Sequence, residues 1–192
     1  DASKTMETAT ALERRTWSDA CRPEAMKEYE AVGGKVEDFV MAERKGAESK
    51  ASEFMKVCVE GLAVAANKDV KSATDKEKES WRGTCDTQAR VQFELNGGKE
   101  GEWALAQRRG AQSQASEKMK SCFDGKLNDA SETMETAAAT TKDTIREACT
   151  EDVRAVFEAA GGKAKDFESS LLKAAEARAA EFMETCVEGK AD

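Results

Sequence analysis

At 192 residues, with 38 acidic against 30 basic side chains, no histidine and a single proline, the chain has a formal net charge of −8 at pH 7. That surplus of acid disfavours nucleic acid, whose phosphates require Lys and Arg gathered on one face. The longest apolar run, Leu62 to Ala66, is far below the roughly 20 residues of a spanning helix, so no transmembrane segment is expected.

The chain consists of three copies of one 64-residue unit, spanning 1–64, 65–128 and 129–192 without insertion or deletion. The opening Asp1-Ala2-Ser3-Lys4-Thr5-Met6-Glu7-Thr8-Ala9 returns as Asp129-Ala130-Ser131-Glu132-Thr133-Met134-Glu135-Thr136-Ala137. Such a period marks stacked supersecondary units, and a unit this small is near the lower limit for an independent core. Aromatic residues make up 6% of the chain and charged residues 35%, which suits slim helices packed through small side chains. The expected fold is all-α: three tandem helical repeats of two to three helices each, stapled by disulfides into a rod or arc. The chain opens on Asp1, and Gly189-Lys190-Ala191-Asp192 would run on into another Asp-Ala-Ser opening. Both features suggest a processed product, or a unit of a longer array.

In chain order, the first predicted helix covers residues 3–20, with Ser3 as N-cap and Met6, Ala9 and Trp17 at helical spacing. Trp17, Trp81 and Ile145 share one position in the repeat, which makes it an expected core anchor. Arg22-Pro23-Glu24, Asp86-Thr87-Gln88 and Thr150-Glu151-Asp152 then read as the start of a second, short helix, because Pro suits a first turn and Asp and Thr suit an N-cap. A kinked continuous helix is the alternative. This helix carries Tyr29, Phe93 or Phe157 and ends at Gly33-Gly34, Gly97-Gly98 or Gly161-Gly162, since glycine takes the left-handed cap conformation at little steric cost.

A third helix is predicted from about residue 36 or 38 to 59, opening on Phe39, Trp103 or Phe167. Its stripe of small residues runs through Gly46, Ala47 and Ala51, with Gly110, Ala111 and Ala115, and then Ala174, Ala175 and Ala179, as equivalents. Lys118 breaks the pattern set by Phe54 and Phe182, which points to looser packing or a lysine stem at an interface. Gly61, Gly125 and Gly189 are expected to close the helix, leaving 61–68 and 125–130 as short linkers between modules that touch.

Six cysteines, Cys21, Cys58, Cys85, Cys122, Cys149 and Cys186, fall in three equivalent pairs 37 residues apart. Structural metal sites and redox pairs bring cysteines close in sequence, and no Cys-x-x-Cys occurs, so no metal is expected. Disulfides are the leading reading and buried thiols the alternative. In a straight hairpin, about 12 residues from Cys21 to the turn and about 24 from the turn to Cys58 would leave the sulfurs roughly 18 Å apart along the axis. Pairing within a repeat therefore requires bending, while Cys58 to Cys85 is the neighbour alternative. Pairing within each repeat is favoured because it makes all three copies equivalent, whereas neighbour pairing strands Cys21 and Cys186.

Disulfides imply an oxidising compartment, either extracellular or secretory or an organelle lumen such as that of the thylakoid. No catalytic or nucleotide motif appears, no cofactor is implied, and acid pairs such as Glu37-Asp38 read as helix-start or solvated residues. The functional expectation is a non-enzymatic structural or linker protein offering an extended surface to protein partners. It would be an accessory subunit of a larger assembly, such as the lumenal side of a membrane complex, a photosynthetic one included, and at most peripheral to the membrane. The alternative is a helical carrier holding a hydrophobic small molecule among Phe54, Met55, Phe182 and Met183.

Overall fold

The computed structural model describes residues 5–191, apart from the side chains of 187–189 and 191. Six α-helices and no strand are found among them: α1 (Ala11–Ala31), α2 (Phe39–Ala65), α3 (Asp75–Leu95), α4 (Trp103–Asp129), α5 (Ala139–Ala159) and α6 (Phe167–Ala191). Each repeat thus holds two long helices, with one 3-10 turn opening the second.

The expected break after the first cysteine does not occur. Helix α1 runs through Cys21 and contains Pro23, so the continuous alternative is the correct one. The reason is a buried stripe at four-residue spacing: Ile145, Cys149, Val153 and Phe157 are at most 7% exposed. This stripe crosses the proposed boundary, and its burial outweighs the local preference of Asp and Thr for a cap. The start is also later than expected. Thr10 caps α1 and Thr74 caps α3, each in a reciprocal capping box with the glutamate three residues on. Lys68 and then Thr74 hold the Glu77 carboxyl down at about 2. Ser3, expected as the cap, lies outside the described residues.

The glycines divide into two kinds. Gly33, Gly97 and Gly161 have φ of 97°, 93° and 105°, and the amide of the following glycine bonds back to Tyr29, Phe93 or Phe157 at 2.9–3.0 Å, closing the helix as expected. Gly61 and Gly125, expected to do the same, lie inside α2 and α4. Those helices end beyond them, at Ala65 and Asp129, and are closed by Asn67 and Ser131, which take the left-handed conformation with φ of 53° and 55°. The amides of Lys68 and Glu132 bond to Ala63 and Leu127 in the same pattern. The connections are therefore 66–74 and 130–138. An added methyl at Gly162 would stand inside the Phe157 ring, which is fully buried. Gly162→Ala is expected to cost about 2 kcal/mol. Gly61→Ala, with open space around it, should gain about 0.5–1 kcal/mol. Thermal unfolding of the two variants should move in opposite directions.

Helices of one sequence repeat meet chiefly around their corner. Tyr29 packs on Phe39, Phe93 on Trp103 and Phe157 on Phe167, with ring centroids 5.6–5.7 Å apart. The long packing is made across repeat borders, α2 along α3 and α4 along α5. Helices α1, α3 and α5 form one layer and α2, α4 and α6 the other, each in contact with the next in its layer. The core follows this plan. Met55, Val59 and Ala63 of α2 join Cys85 and Ala89 of α3, and Phe123 and Leu127 of α4 join Cys149 and Val153 of α5. The anchor position varies with this environment: Ile145 is 7% exposed, Trp81 half-buried, and Trp17, in α1 with no preceding helix against it, 38% exposed.

Candidate functional site

The cysteines pair across the borders, and this corrects the expected pairing within repeats. Cys58 is bonded to Cys85 and Cys122 to Cys149, with Cα atoms 6.0 Å apart in both, while Cys21 and Cys186 are free thiols. Straight helices explain it. Cys58 lies about 10 Å before the end of α2 and Cys85 about 15 Å after the start of α3, so antiparallel packing brings them level. Cys21 and Cys58 diverge from a shared corner instead. Two disulfides are compatible with an oxidising compartment.

Ion pairs reinforce the same borders. Arg14 Nε meets Glu94, and Lys78 Nζ stands 2.6 Å from Glu158 Oε2. All four residues are at most 8% exposed, and each pair joins one odd-numbered helix to the next. Glu158 Oε2 has no hydrogen bond of good geometry, so that contact is chiefly Coulombic. On the surface Lys71 bonds to Asp152 at 2.7 Å, lowering the Asp152 carboxyl and raising the Lys71 ammonium. Lys118 adds its charge in favour of ionised Asp152. The lysine that breaks the aromatic pattern is exposed and serves the electrostatics of this border.

The second layer carries a polar groove of about 510 Å³ formed jointly by α2, α4 and α6. Gly110 allows the close approach: a methyl placed there would lie 2.6 Å from Ser52 Cβ. Lys45, Arg109 and Lys173 occupy the same position in successive repeats and all line the groove. With Arg44 and Arg178 they make five bases against the three acids Glu48, Glu117 and Glu181, reversing the charge balance of the chain. Two of the bases are engaged across helices, Lys45 with Glu181 at 3.1 Å and Arg109 with Glu48 at 3.3 Å. The basic ladder was missed in the sequence, although its 64-residue spacing was there to be read.

The residues expected to hold a hydrophobic ligand are spread through the fold. Met55 is 1% exposed within the α2–α3 core, with Phe54 packed beside it, whereas Phe182 and Met183 are 70% and 62% exposed on α6. Among the described residues no three Cys, Asp or Glu side chains gather as a metal set would, and no helix is long and apolar enough to cross a membrane. No family model, curated protein or solved structure matches this chain.

Proposed function

We propose that this protein is a non-enzymatic scaffold in an oxidising compartment, an organelle lumen such as that of the thylakoid, where it links subunits of a larger assembly. The observation that carries the reading is the ladder of Lys45, Arg109 and Lys173 along one groove. A repeated basic position on an otherwise acidic chain favours an extended acidic segment of a protein partner, which would meet one cation per repeat. The existing Lys45–Glu181 contact joins two exposed side chains, and such a surface pair exchanges partners at little cost, whereas Arg109 is held by the buried Glu48.

Size-exclusion of native extract tests this. The protein should co-elute with other subunits, and a Lys45→Glu, Arg109→Glu, Lys173→Glu variant of unchanged helicity should elute without them. Wild-type protein eluting as a free, partnerless species would overturn the reading.

A further inference from the structure

The two ends of the chain are the separated halves of an interface that is built twice inside it. In the first internal copy, Met55 and Cys58 of α2 fit against Val70, Trp81, Cys85, Ala89, Trp103 and Ala159. The residues 64 positions earlier are Met6, Trp17, Cys21, Ala25, Phe39 and Leu95. All six line a single open cleft of about 470 Å³, mostly apolar, beside α1. No helix fills it. Helix α6 shows the reverse: the residues 128 positions after Phe54, Met55 and Cys58 are Phe182, Met183 and Cys186, and the first two stand in solvent.

Charge and spacing repeat the match. The buried pairs Arg14–Glu94 and Lys78–Glu158 are each 80 residues apart. The next member of that series, Lys142, would find its glutamate at position 30 of a second copy, and Glu30 is there. Among the described residues neither Lys142 nor Glu30 makes an ion pair. The disulfides each span 27 residues, and the same step from Cys186 falls on position 21 of a second copy, occupied by the free thiol of Cys21.

We propose that this protein assembles head to tail, the C-terminal half of α6 of one copy filling the α1 cleft of the next. Lys142 then pairs with Glu30 of the next copy, and Cys186 forms a disulfide with its Cys21. This goes beyond the scaffold reading and does not depend on the basic groove. The interface is heterologous, so it propagates into a chain of copies unless the rotation closes a ring. The covalent step uses a small disulfide such as oxidised glutathione. Cys186 thiolate attacks it and releases one glutathione thiol; Cys21 thiolate of the next copy then attacks the Cys186 sulfur of the mixed disulfide and releases the second. Two protein thiols are oxidised, one glutathione disulfide is reduced, and the thiol protons end on glutathione.

The test starts from the monomeric full chain with both internal disulfides intact, incubated in a glutathione redox buffer and followed by non-reducing gels and light scattering. A ladder in steps of 20.8 kDa, with Cys186 linked to Cys21 in peptide maps, is expected. Met183→Glu should slow its formation by about 10-fold or more while both thiols still react with a small disulfide reagent. Glu30→Lys should do the same, and a Lys142→Glu, Glu30→Lys double variant should recover it. Statistical mixtures of Cys21–Cys21 and Cys186–Cys186 dimers, or a ladder indifferent to Met183→Glu, would overturn the proposal. So would monomer that persists while both thiols remain reactive.

Discussion

Replacing Lys78 by methionine is expected to lower the unfolding free energy by about 3–5 kcal/mol, because it leaves Glu158, 1% exposed, as an uncompensated buried charge. The loss is one of desolvation more than of attraction. Removing both partners, Lys78→Met with Glu158→Met, should therefore restore most of the stability, since an apolar pair of similar volume no longer carries a charge out of water. Denaturant unfolding of the two single variants and the double variant gives the coupling directly. A Lys78→Met cost below about 1 kcal/mol would place the pair among surface bridges and remove it as a determinant of the repeat border.

The second large effect concerns the staples. Cys58→Ala with Cys85→Ala opens a loop of 27 residues, which on the chain-entropy model costs about 3.5 kcal/mol. For a chain of this size that corresponds to roughly 7–14 °C in Tm. The effect should be local to one border: α2 and α3 lose their covalent tie while α4 and α5 keep theirs. Hydrogen exchange should accelerate in α2 and α3 before α5. Uniform acceleration throughout the chain would mean that the three repeats unfold as one cooperative body and that the staple acts on the whole.

Much of the architecture was legible because it depends on features that recur. The paired glycines could be placed since Gly33, Gly97 and Gly161 need positive φ and their neighbours Gly34, Gly98 and Gly162 sit against an aromatic ring. The stripe of small residues was readable in the first two repeats, where Ala47, Ala51, Ala111 and Ala115 are all at most 2% exposed, but Gly46 and, on α6 of the third, Ala175 and Ala179 stand exposed. What misled was local chemistry read without its packing partner. Asp86-Thr87 and Thr150 resemble caps, yet they lie within helices whose buried stripe is continuous, and Asp86 instead accepts hydrogen bonds from Trp103 and Gln107 of α4. Gly61 and Gly125 resemble helix ends, but the helices continue to Ala65 and Asp129 because Leu62, Ala63 and Leu127 still pack on the next helix.

The cysteine pairing failed for a related reason. Symmetry favoured making the three copies equivalent inside their own borders. The helices instead pair across those borders, so equivalence is achieved by the borders themselves: two are stapled, and the ends carry the two remaining thiols. The 18 Å mismatch for an internal hairpin was the stronger argument, because a helix fixes distances along its axis while symmetry among copies carries no energy of its own. For the groove, the sequence offers no local signal at Lys45, Arg109 or Lys173 beyond their shared 64-residue spacing. Only the packing of α2, α4 and α6 side by side brings them to one surface.

Peptide-level mass spectrometry of unreduced monomer, with free thiols alkylated first, tests most directly whether the borders hold this fold together. Peptides linked Cys58 to Cys85 and Cys122 to Cys149, with alkylated Cys21 and Cys186, are predicted. Peptides linked Cys21 to Cys58 or Cys149 to Cys186 would contradict it, because they would require each repeat to close on itself.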